Sequence, residues 1–514
     1  MQRILIAAFL LCTICPVSVF AMESTADAGK KTLKIVFSDA ERKPIAIADL
    51  KSLHTLDLND EPVIDDMIKN DGEAVVTLPE QPVQFSMMLN VPDFGYLAVY
   101  IDNQGKGYTK DDTVDFVPEA AATRLYRVKK GIAKAEAGKI KLSKELYDKL
   151  KESEKIVKTD PYKSLALSLA AGEELTLTNA RHRIANLKKP RKNFLFGCNT
   201  FGHPARGPIY DQRFQELFNY GTANCYLTGL CPSPGVYNFA RTDSEVGWLL
   251  SMGMTARTSA PFYMLTGTTP KWMLEIKWPE AAKLAHDTMV EVGKHYRGKV
   301  AYCEVGNEMH DKSNSLGLTQ KQLVEMAKVL CSSMREGDPD VKRIINGCSL
   351  WGEYGCKLDK NGNRLRSPYR FLRECVDAGA DFEIVGIQLY YPRYDFFEIE
   401  RMLDRYATLG KKIHITEMGC QSQPGNDPSS QRKTGTQIGW HGTWSEDVQA
   451  DWVEGVFTIF YSKSYIEAAT WWDFADAVSW YPWGGLLRGD CSPKPAYLRL
   501  QTLKKQWGLS AEAL

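Results

Sequence analysis

The sequence is almost without net charge. Its 64 lysine and arginine residues nearly balance 63 aspartate and glutamate residues, which leaves a formal charge of +1. Charge alone therefore predicts neither a nucleic-acid partner nor an anionic surface as partner. The sequence also lacks a long apolar run after its first twenty residues, so no transmembrane helix is predicted.

Motifs of metal and cofactor sites are missing as well. The ten cysteines between Cys198 and Cys491 include no CxxC pair, and the eight histidines include no HExxH motif. No metal or cofactor is therefore predicted. The number of these cysteines is even, which allows full pairing. They are therefore expected to be either buried thiols or a few disulfides.

The first residues have the pattern of a secretory signal. Arg3 precedes an apolar stretch over residues 4–20 that is too short to span a membrane, and the small residue Ala21 follows. This pattern predicts a signal peptide over residues 1–21 with cleavage after Ala21, and hence a secreted or periplasmic protein.

Residues 30–130 alternate short apolar runs with turn residues. Apolar side chains occupy every second position from Leu33 to Phe37, and similar runs cover 74–78, 83–89 and 96–101. Such runs are typical of short strands and predict a small N-terminal domain like a β-sandwich. Its function is left open between a carbohydrate-binding module and a structural lid or spacer.

Residues 131–192 are rich in lysine, glutamate and alanine. Ser143 precedes apolar residues at helical spacing, as an N-cap residue does, so the segment is predicted to be helical. We interpret it as a connector between the N-terminal domain and the rest of the chain.

Residues 193–508 repeat an apolar strand followed by an amphipathic helix. Eight strands are predicted, at 194–198, 220–225, 254–260, 300–305, 343–347, 384–389, 412–416 and 468–472. Eight such alternations are typical of a (β/α)8 TIM barrel, an α/β fold. A doubly wound open sheet is the alternative, and it is less favoured because no glycine-rich phosphate loop follows the first strand.

Two of these strands end at a glutamate. Glu308 follows the fourth strand and Glu417 ends the seventh. In a barrel both would lie at the C-terminal mouth, where a pair of carboxyl groups can cleave a glycosidic bond. We predict Glu308 as the proton donor, because Asn307 and an apolar strand flank it, and Glu417 as the nucleophile.

Several residues near the predicted mouth are candidates for substrate contacts. Asn307 could donate to a sugar 2-hydroxyl, and Gln388 and Tyr390 at the end of the sixth strand could hydrogen-bond the nucleophile. Tryptophan rings offer flat apolar faces to sugars, so Trp472 and Trp480 are also predicted there. Turn or packing roles are the alternatives for these residues.

Two histidines follow the glutamates. His310 has no partner at metal-ligand spacing and is predicted to be a solvated loop residue. His441 lies between Trp440 and Trp444 in the long loop after Glu417, and it is predicted to contact substrate.

These residues resemble clan A of the retaining glycoside hydrolases, and within it the sequence is most similar to glycoside hydrolase family 10, the endo-β-1,4-xylanases. The resemblance is carried by Asn307-Glu308, Ile415-Thr416-Glu417, residues 232–239 with Asp243, Gly253-Met254 with Arg257, Pro270-Lys271-Trp272, Val385–Gln388, Gly485–Leu487, Asp490 and residues 493–497. The resemblance implies a barrel over about residues 190 to 505, with Glu308 as acid/base and Glu417 as nucleophile.

The sequence departs from the family where the family's residues line sugar subsites. Asn224-Cys225 and Thr228-Gly229 stand where the family has Glu-Asn and then Lys-Trp. In the family the motif at strand three contains a histidine, whereas the corresponding segment here ends at Tyr263, which is a predicted substrate contact. At strand six Tyr390 stands in place of the family's histidine.

The leading hypothesis is a secreted retaining glycosidase that cleaves a β-glycan from within the chain. The expected partner is the β-glycan substrate. No nucleic-acid partner is predicted, and the oligomeric state is left open. A catalytically silent carbohydrate-binding barrel and a transglycosylase are the competing hypotheses.

Overall fold

The computed structural model describes residues 31–509, except residues 65, 312, 360, 361, 363, 391, 433–438 and 478. The predicted signal peptide over residues 1–21 lies outside the described residues. Within them, none of the helices combines the length and the apolar character that crossing a membrane requires.

Two small sheets form the N-terminal part of the protein. Its strands are β1 (Thr32–Val36), β2 (His54–Asp57), β3 (Asp66–Asn70), β4 (Glu73–Thr77), β5 (Val83–Val91), β6 (Gly95–Ile101) and β7 (Asp112–Asp115). One sheet has the order β3-β4-β1-β7 and the other β2-β5-β6, and all pairs are antiparallel except β1 with β7. The predicted strands in this region correspond to β1, β4, β5 and β6.

Three helices follow the sheets. They are α1 (Phe116–Ala137), α2 (Lys144–Ile156) and α3 (Pro161–Ala185). The Ser143 hydroxyl caps α2 as predicted, because it accepts a hydrogen bond from the Leu146 backbone N at 3.0 Å.

The helices pack against both parts of the chain. Helix α1 begins at Phe116, and its buried residues Phe116 and Val117 share one apolar core with both sheets. Leu165 and Leu169 of α3 join that core, whereas Ala180 of the same helix belongs to the core of the rest of the chain. We call the two sheets together with α1, α2 and α3 the N-terminal unit. The interpretation of the helical segment as a connector and the domain boundaries stay predictions.

The remainder of the chain forms a closed barrel of parallel strands. The barrel strands are β8 (Leu195–Asn199), β9 (Tyr220–Ala223), β10 (Thr255–Thr258), β11 (Tyr302–Asn307), β12 (Lys342–Gly347), β13 (Ile384–Tyr390), β14 (Lys412–Gly419) and β15 (Ile466–Trp471). They pair in chain order, and β15 closes on β8. The predicted TIM barrel is confirmed, with every predicted strand present.

Helices surround the barrel. They are α4 (Pro208–Leu217), α5 (Leu227–Leu230), α6 (Ala240–Ser251), α7 (Trp278–Tyr296), α8 (Gln320–Gly337), α9 (Pro368–Asp377), α10 (Phe396–Ala407), α11 (Glu446–Ser462) and α12 (Pro495–Gln506). Strands such as β8 and β9 are buried along their whole length, because side chains fill the barrel inside and helices cover it outside. Glu308 and Glu417 thus come to the C-terminal ends of β11 and β14.

Candidate active site

Glu308 directly follows β11, where the strand breaks its regular pairing with β12. The pairing shifts between Glu304 and Gly306, and Glu308 itself has φ +53°, in the left-handed region. Its backbone N donates to the Asn346 carbonyl at 2.9 Å, which holds this turn. A non-glycine residue in this conformation is strained, and such strain is concentrated at functional sites.

The carboxyl group of Glu308 is buried and accepts several hydrogen bonds. The Ser313 hydroxyl donates to Oε2 at 3.0 Å, and Gln388 Nε2 donates to Oε1 at 3.1 Å. The phenol of Tyr263 also hydrogen-bonds Glu308, and the pKa of that phenol is raised by burial and then by the charges of Glu308 and Glu417. Tyr263 is therefore a neighbour of both glutamates.

Glu417 lies in β14 and is also buried. The Tyr390 hydroxyl donates to its Oε2 at 3.1 Å, and Asn346 Nδ2 donates to its Oε1 at 3.2 Å. The Thr416 hydroxyl donates to Asn346 Oδ1 at 2.6 Å, so it fixes which end of that amide faces the glutamate.

One hydrogen-bond network joins the two glutamates through Asn307. Asn307 Oδ1 accepts from Asn346 Nδ2 and from Gln388 Nε2, both at 3.0 Å. The same two amides donate to Glu417 and to Glu308, respectively. Each glutamate is therefore one amide group away from Asn307, and both lie at one mouth of the barrel.

A buried ion pair lies deeper in the barrel. Arg257 Nη1 is 3.7 Å from Glu304 Oε2, and Arg257 Nη2 donates to the Thr416 carbonyl at 3.1 Å, directly before Glu417. Burial raises the pKa of Glu304 to about 7, although the Arg257 charge and an Asn346 hydrogen bond lower it.

Two of the buried carboxyl groups, Glu304 and Glu417, share the Arg257 guanidinium. Burial, followed by the charges of Glu304 and Glu308, raises the pKa of Glu417 well above its usual range, while Arg257 and the Tyr390 hydroxyl act in the opposite direction. Neighbouring carboxyl groups in such a site do not all ionise together. Arg257 and Tyr390 are therefore the groups that favour the ionised form of Glu417, the candidate nucleophile.

The predicted tryptophans occupy the end of β15 and the loop after it. Trp472 is buried, its N donates to the Met418 carbonyl at 2.9 Å, and its ring meets Phe201 edge-on at 5.3 Å. Trp480 is 39% exposed, and its backbone N donates to Asp473 Oδ1 at 2.8 Å. Burial raises the pKa of Asp473 to about 7, while the Trp480 amide and its neighbour lower it.

His310 differs from its prediction. It is buried rather than solvated, because its ring packs 5.0 Å from Tyr354 and its Nε2 lies 3.9 Å from Cys348 Sγ. His441 Nε2 is 2.6 Å from a Glu173 carboxylate oxygen, and its ring centre is 4.3 Å from that of Phe94. These contacts of His441 are with the N-terminal unit, and its contact with substrate stays a prediction.

Sequence reasoning missed part of the site. Asn346 was not predicted to belong to the site. Like Asn307 at the end of β11, it lies near the end of its strand, as the last residue but one of β12. Glu304 and Tyr226 were also missed. Tyr226 belongs near the site because, in addition to the larger effect of burial, the charge of Glu417 raises the pKa of its phenol. These residues come together only through barrel closure, so no local motif indicates them.

The ten cysteines from Cys198 to Cys491 are all free thiols, which decides between the two alternatives left open by their spacing. In the part of the chain that the structure describes, no group of three or more histidine, cysteine, aspartate or glutamate residues is arranged to hold a metal ion.

Comparisons with known proteins agree with this geometry. The sequence model of Glycosyl hydrolase family 10 matches residues 199–502. Endo-1,4-beta-xylanase B of Thermotoga neapolitana is 22% identical over 294 residues, which cover 54% of this chain and 77% of that protein. Beta-1,4-xylanase of Dictyoglomus thermophilum is 25% identical over 266 residues, 49% of this chain and 69% of that protein.

Similar solved structures include that of xylanase 10B from Thermotoga petrophila RKU-1 in complex with xylobiose. It has a TM-score of 0.49 and 21% identity, and the similarity covers 62% of this chain and 96% of that chain. The family match alone spans more than half of the 514 residues. The chain therefore belongs to glycosyl hydrolase family 10 and is an O-glycosyl hydrolase of the endo-β-1,4-glycanase type.

Proposed function

We propose that the protein is a retaining endo-glycanase that cleaves β-1,4 bonds of xylan or a closely related polysaccharide. The observation that carries this proposal is the hydrogen-bond network that joins Glu308 and Glu417 through Asn307, Asn346 and Gln388. Retaining hydrolysis needs two carboxyl groups over one sugar ring. The relatives that the chain resembles are endo-1,4-beta-xylanases, which supports xylan as the substrate.

In the first step Glu417 attacks the anomeric carbon while Glu308 gives its proton to the leaving oxygen. The bond to the leaving sugar breaks, and a covalent glycosyl-enzyme forms at Glu417. In the second step Glu308 takes a proton from water, the water oxygen attacks the same carbon, and Glu417 leaves as a carboxylate. The two roles are the ones that the family resemblance implies.

Asn307 is suited to hold the substrate ring during these steps. Its Oδ1 accepts from both Asn346 and Gln388, so its Nδ2 is the end of the amide left to donate to a sugar 2-hydroxyl. A hydrogen bond to that hydroxyl strengthens in the transition state, which favours catalysis over mere binding.

Asn224 and Cys225 stand where the family has residues that line a sugar subsite. The identity of the sugar therefore has to be considered separately from the cleavage reaction. Asn224 Nδ2 donates to both carboxylate oxygens of Glu245 at 3.0 and 2.9 Å, and Cys225 is buried. Asn224 is therefore engaged with helix α6. The amide that stands in place of a subsite residue of the family is thus held by the protein itself, and the sugar would be read by other contacts.

A hydrolysis screen tests the proposal. Purified protein and a Glu417→Gln variant are incubated with xylan, mannan, β-glucan and galactan, and the first-formed anomer of the product is followed by NMR. We expect release of β-anomeric products from xylan or one related glycan, and none from the variant. Inactivity of the wild type on all four, with retained glycan binding, would favour a silent binding protein; α-anomeric first products would refute retention.

The predicted signal segment supports export to the periplasm or the medium. The first residue of the exported protein tests this, because cleavage after Ala21 leaves Met22 as the N-terminal residue. Full-length protein in the cytoplasm of the producing cell would refute export.

A further inference from the structure

The N-terminal unit contacts two loops at the mouth of the barrel. We call residues 392–396, which end at the first residue of α10, the βα6 loop, and the described residues 420–432 and 439–445, between β14 and α11, the βα7 loop. One edge of β6 pairs with β5, and its other edge meets these loops. Ala98 N donates to the Arg393 carbonyl at 2.8 Å, and His441 N donates to the Phe94 carbonyl at 2.8 Å.

The fit of this strand edge to the βα7 loop is close. Gly95 forms an isolated antiparallel bridge with Trp440. Gly95 has φ +121°, and a Cβ atom there would lie 2.2 Å from the Gly439 carbonyl oxygen. Only glycine meets both conditions, so the chain is adapted at this point to bring β6 against the loop. The contact also covers a strand edge that would otherwise be open to unwanted pairing.

A single carboxylate on α3 joins the two loops. Glu173 is 6% exposed. Its Oε1 accepts from the Phe396 backbone N at 3.1 Å and from Trp440 Nε1 at 3.2 Å, and its Oε2 is 2.6 Å from His441 Nε2. Glu173 therefore ties the first turn of α10 to two residues of the βα7 loop. A buried carboxylate is stable only with such a full set of partners.

Arginines of α1 hold the same helix α10. Arg124 Nη2 is 2.9 Å from Asp395 Oδ1, and Arg127 Nη1 is 3.1 Å from Glu398 Oε1. Arg124, Asp395 and Glu398 are almost fully buried, and Arg127 is mostly buried. Removing one partner of such a buried pair is strongly unfavourable, so these contacts between the N-terminal unit and the barrel are costly to break.

The βα7 loop contacts the tryptophan loop on its other side. Gln431 N donates to the Ser479 carbonyl at 2.8 Å, and Arg432 N donates to the Trp480 carbonyl at 3.2 Å. Trp480 is the half-exposed tryptophan expected to contact sugar, and Asp473 holds its backbone at the end of β15. Trp440 and His441 of the βα7 loop thus contact the N-terminal unit, and Gln431 and Arg432 of the same loop contact the segment that carries Trp480.

We propose that the N-terminal unit is a working part of the substrate site, and that Glu173 is a positioning residue that fixes the βα7 loop for binding of long substrates. This inference rests on the proposed glycanase function. The carboxylates Glu308 and Glu417 have their own partners in the barrel, so a short substrate that reaches only them depends little on Glu173. A polysaccharide that extends over the neighbouring loops depends on it strongly.

The test uses full-length variants. Glu173→Ala removes the three contacts, Glu173→Gln keeps a hydrogen-bonding side chain of equal size, and Glu174→Ala is the control. Glu174 is next in α3, but its carboxylate contacts Ser143 and Lys149 of the N-terminal unit. Each variant is assayed on the polysaccharide and on a short activated aryl glycoside, and amide exchange is measured over residues 439–449.

For Glu173→Ala we expect KM on the polysaccharide to rise about tenfold or more, from the loss of buried charge-assisted hydrogen bonds. On the aryl glycoside kcat/KM should change less than about threefold, and exchange over residues 439–449 should become faster. Glu173→Gln should recover most of the loss, and Glu174→Ala should behave as wild type in every assay.

Two results would overturn the inference. In one, Glu173→Ala matches Glu174→Ala in KM and in exchange. In the other, it loses activity on both substrates in proportion to its loss of folded protein, which would indicate a purely structural role. A wild type that hydrolyses no glycan would instead contradict the proposed function, and the exchange over residues 439–449 would still decide whether Glu173 holds the loop.

Discussion

The hydroxyl of Tyr390 offers a sharp test of how the site controls the charge of Glu417. It donates to Glu417 Oε2 at 3.1 Å, and this hydrogen bond lowers the pKa of Glu417 against the effect of burial. Tyr390→Phe removes this oxygen and keeps the ring, which stacks 6.4 Å from Tyr481. The change therefore alters the electrostatics of the nucleophile with little change in packing.

The magnitude follows from the strength of a hydrogen bond to a charged acceptor. Such a bond contributes about 1.5–3 kcal/mol, and a pKa difference of one unit corresponds to about 1.4 kcal/mol. Because the bond favours the carboxylate form, its loss raises the pKa of Glu417 further. Catalysis needs the ionised nucleophile, so the acidic limb of activity should move to higher pH, and kcat/KM on that limb should fall roughly ten- to a hundredfold.

The assay is kcat/KM against pH with an activated aryl glycoside, for wild type, Tyr390→Phe and Tyr302→Phe. Tyr302 begins β11 at the opposite end of the barrel, where its ring packs near His414, so its variant is the matched control. We expect the acidic limb to shift in Tyr390→Phe alone. An unchanged limb, or a shift to lower pH, would refute the assigned role of the hydroxyl.

Three further predictions concern charge and stability. Glu304→Gln should move the acidic limb to lower pH, opposite to Tyr390→Phe, because the Glu304 charge raises the pKa of Glu417; a shift upward would contradict it. Glu308→Ala should keep activity on substrates with good leaving groups and gain speed with added azide, giving a β-glycosyl azide; an α-product would contradict its role as acid/base. Asp395→Ala should lower the free energy of unfolding in urea by about 1.5–3 kcal/mol, because it removes the charge-assisted hydrogen bond of the buried Arg124 and leaves it only the more distant Glu398 at 3.5 Å; a loss below about 1 kcal/mol would refute the importance of that pair.

The barrel was predictable because its pattern is strong. Parallel strands buried on both faces appear in a sequence as apolar runs, and each run here was found. Glu308 and Glu417 were recognisable because each follows such a run. The strands missed in the N-terminal unit are short or largely exposed, such as β3 and β7, and carry little apolar pattern.

The parts that sequence reasoning missed depend on contacts between distant residues. Asn346 connects Asn307 to Glu417 only when β12 lies between β11 and β13 in the closed barrel. The contact of His441 with Glu173 was likewise not predicted. The two residues are 268 positions apart, and no local pattern indicates such a pair.

Trapping of the covalent intermediate distinguishes double displacement through Glu417 from every alternative discussed above. The protein is incubated with a 2-fluoro-substituted aryl β-glycoside of the sugar it hydrolyses, digested, and examined by mass spectrometry. We expect one added glycosyl group on the peptide that contains Glu417, and none in Glu417→Gln. A label on another residue, or an active enzyme that the reagent leaves unlabelled and uninhibited, would contradict it.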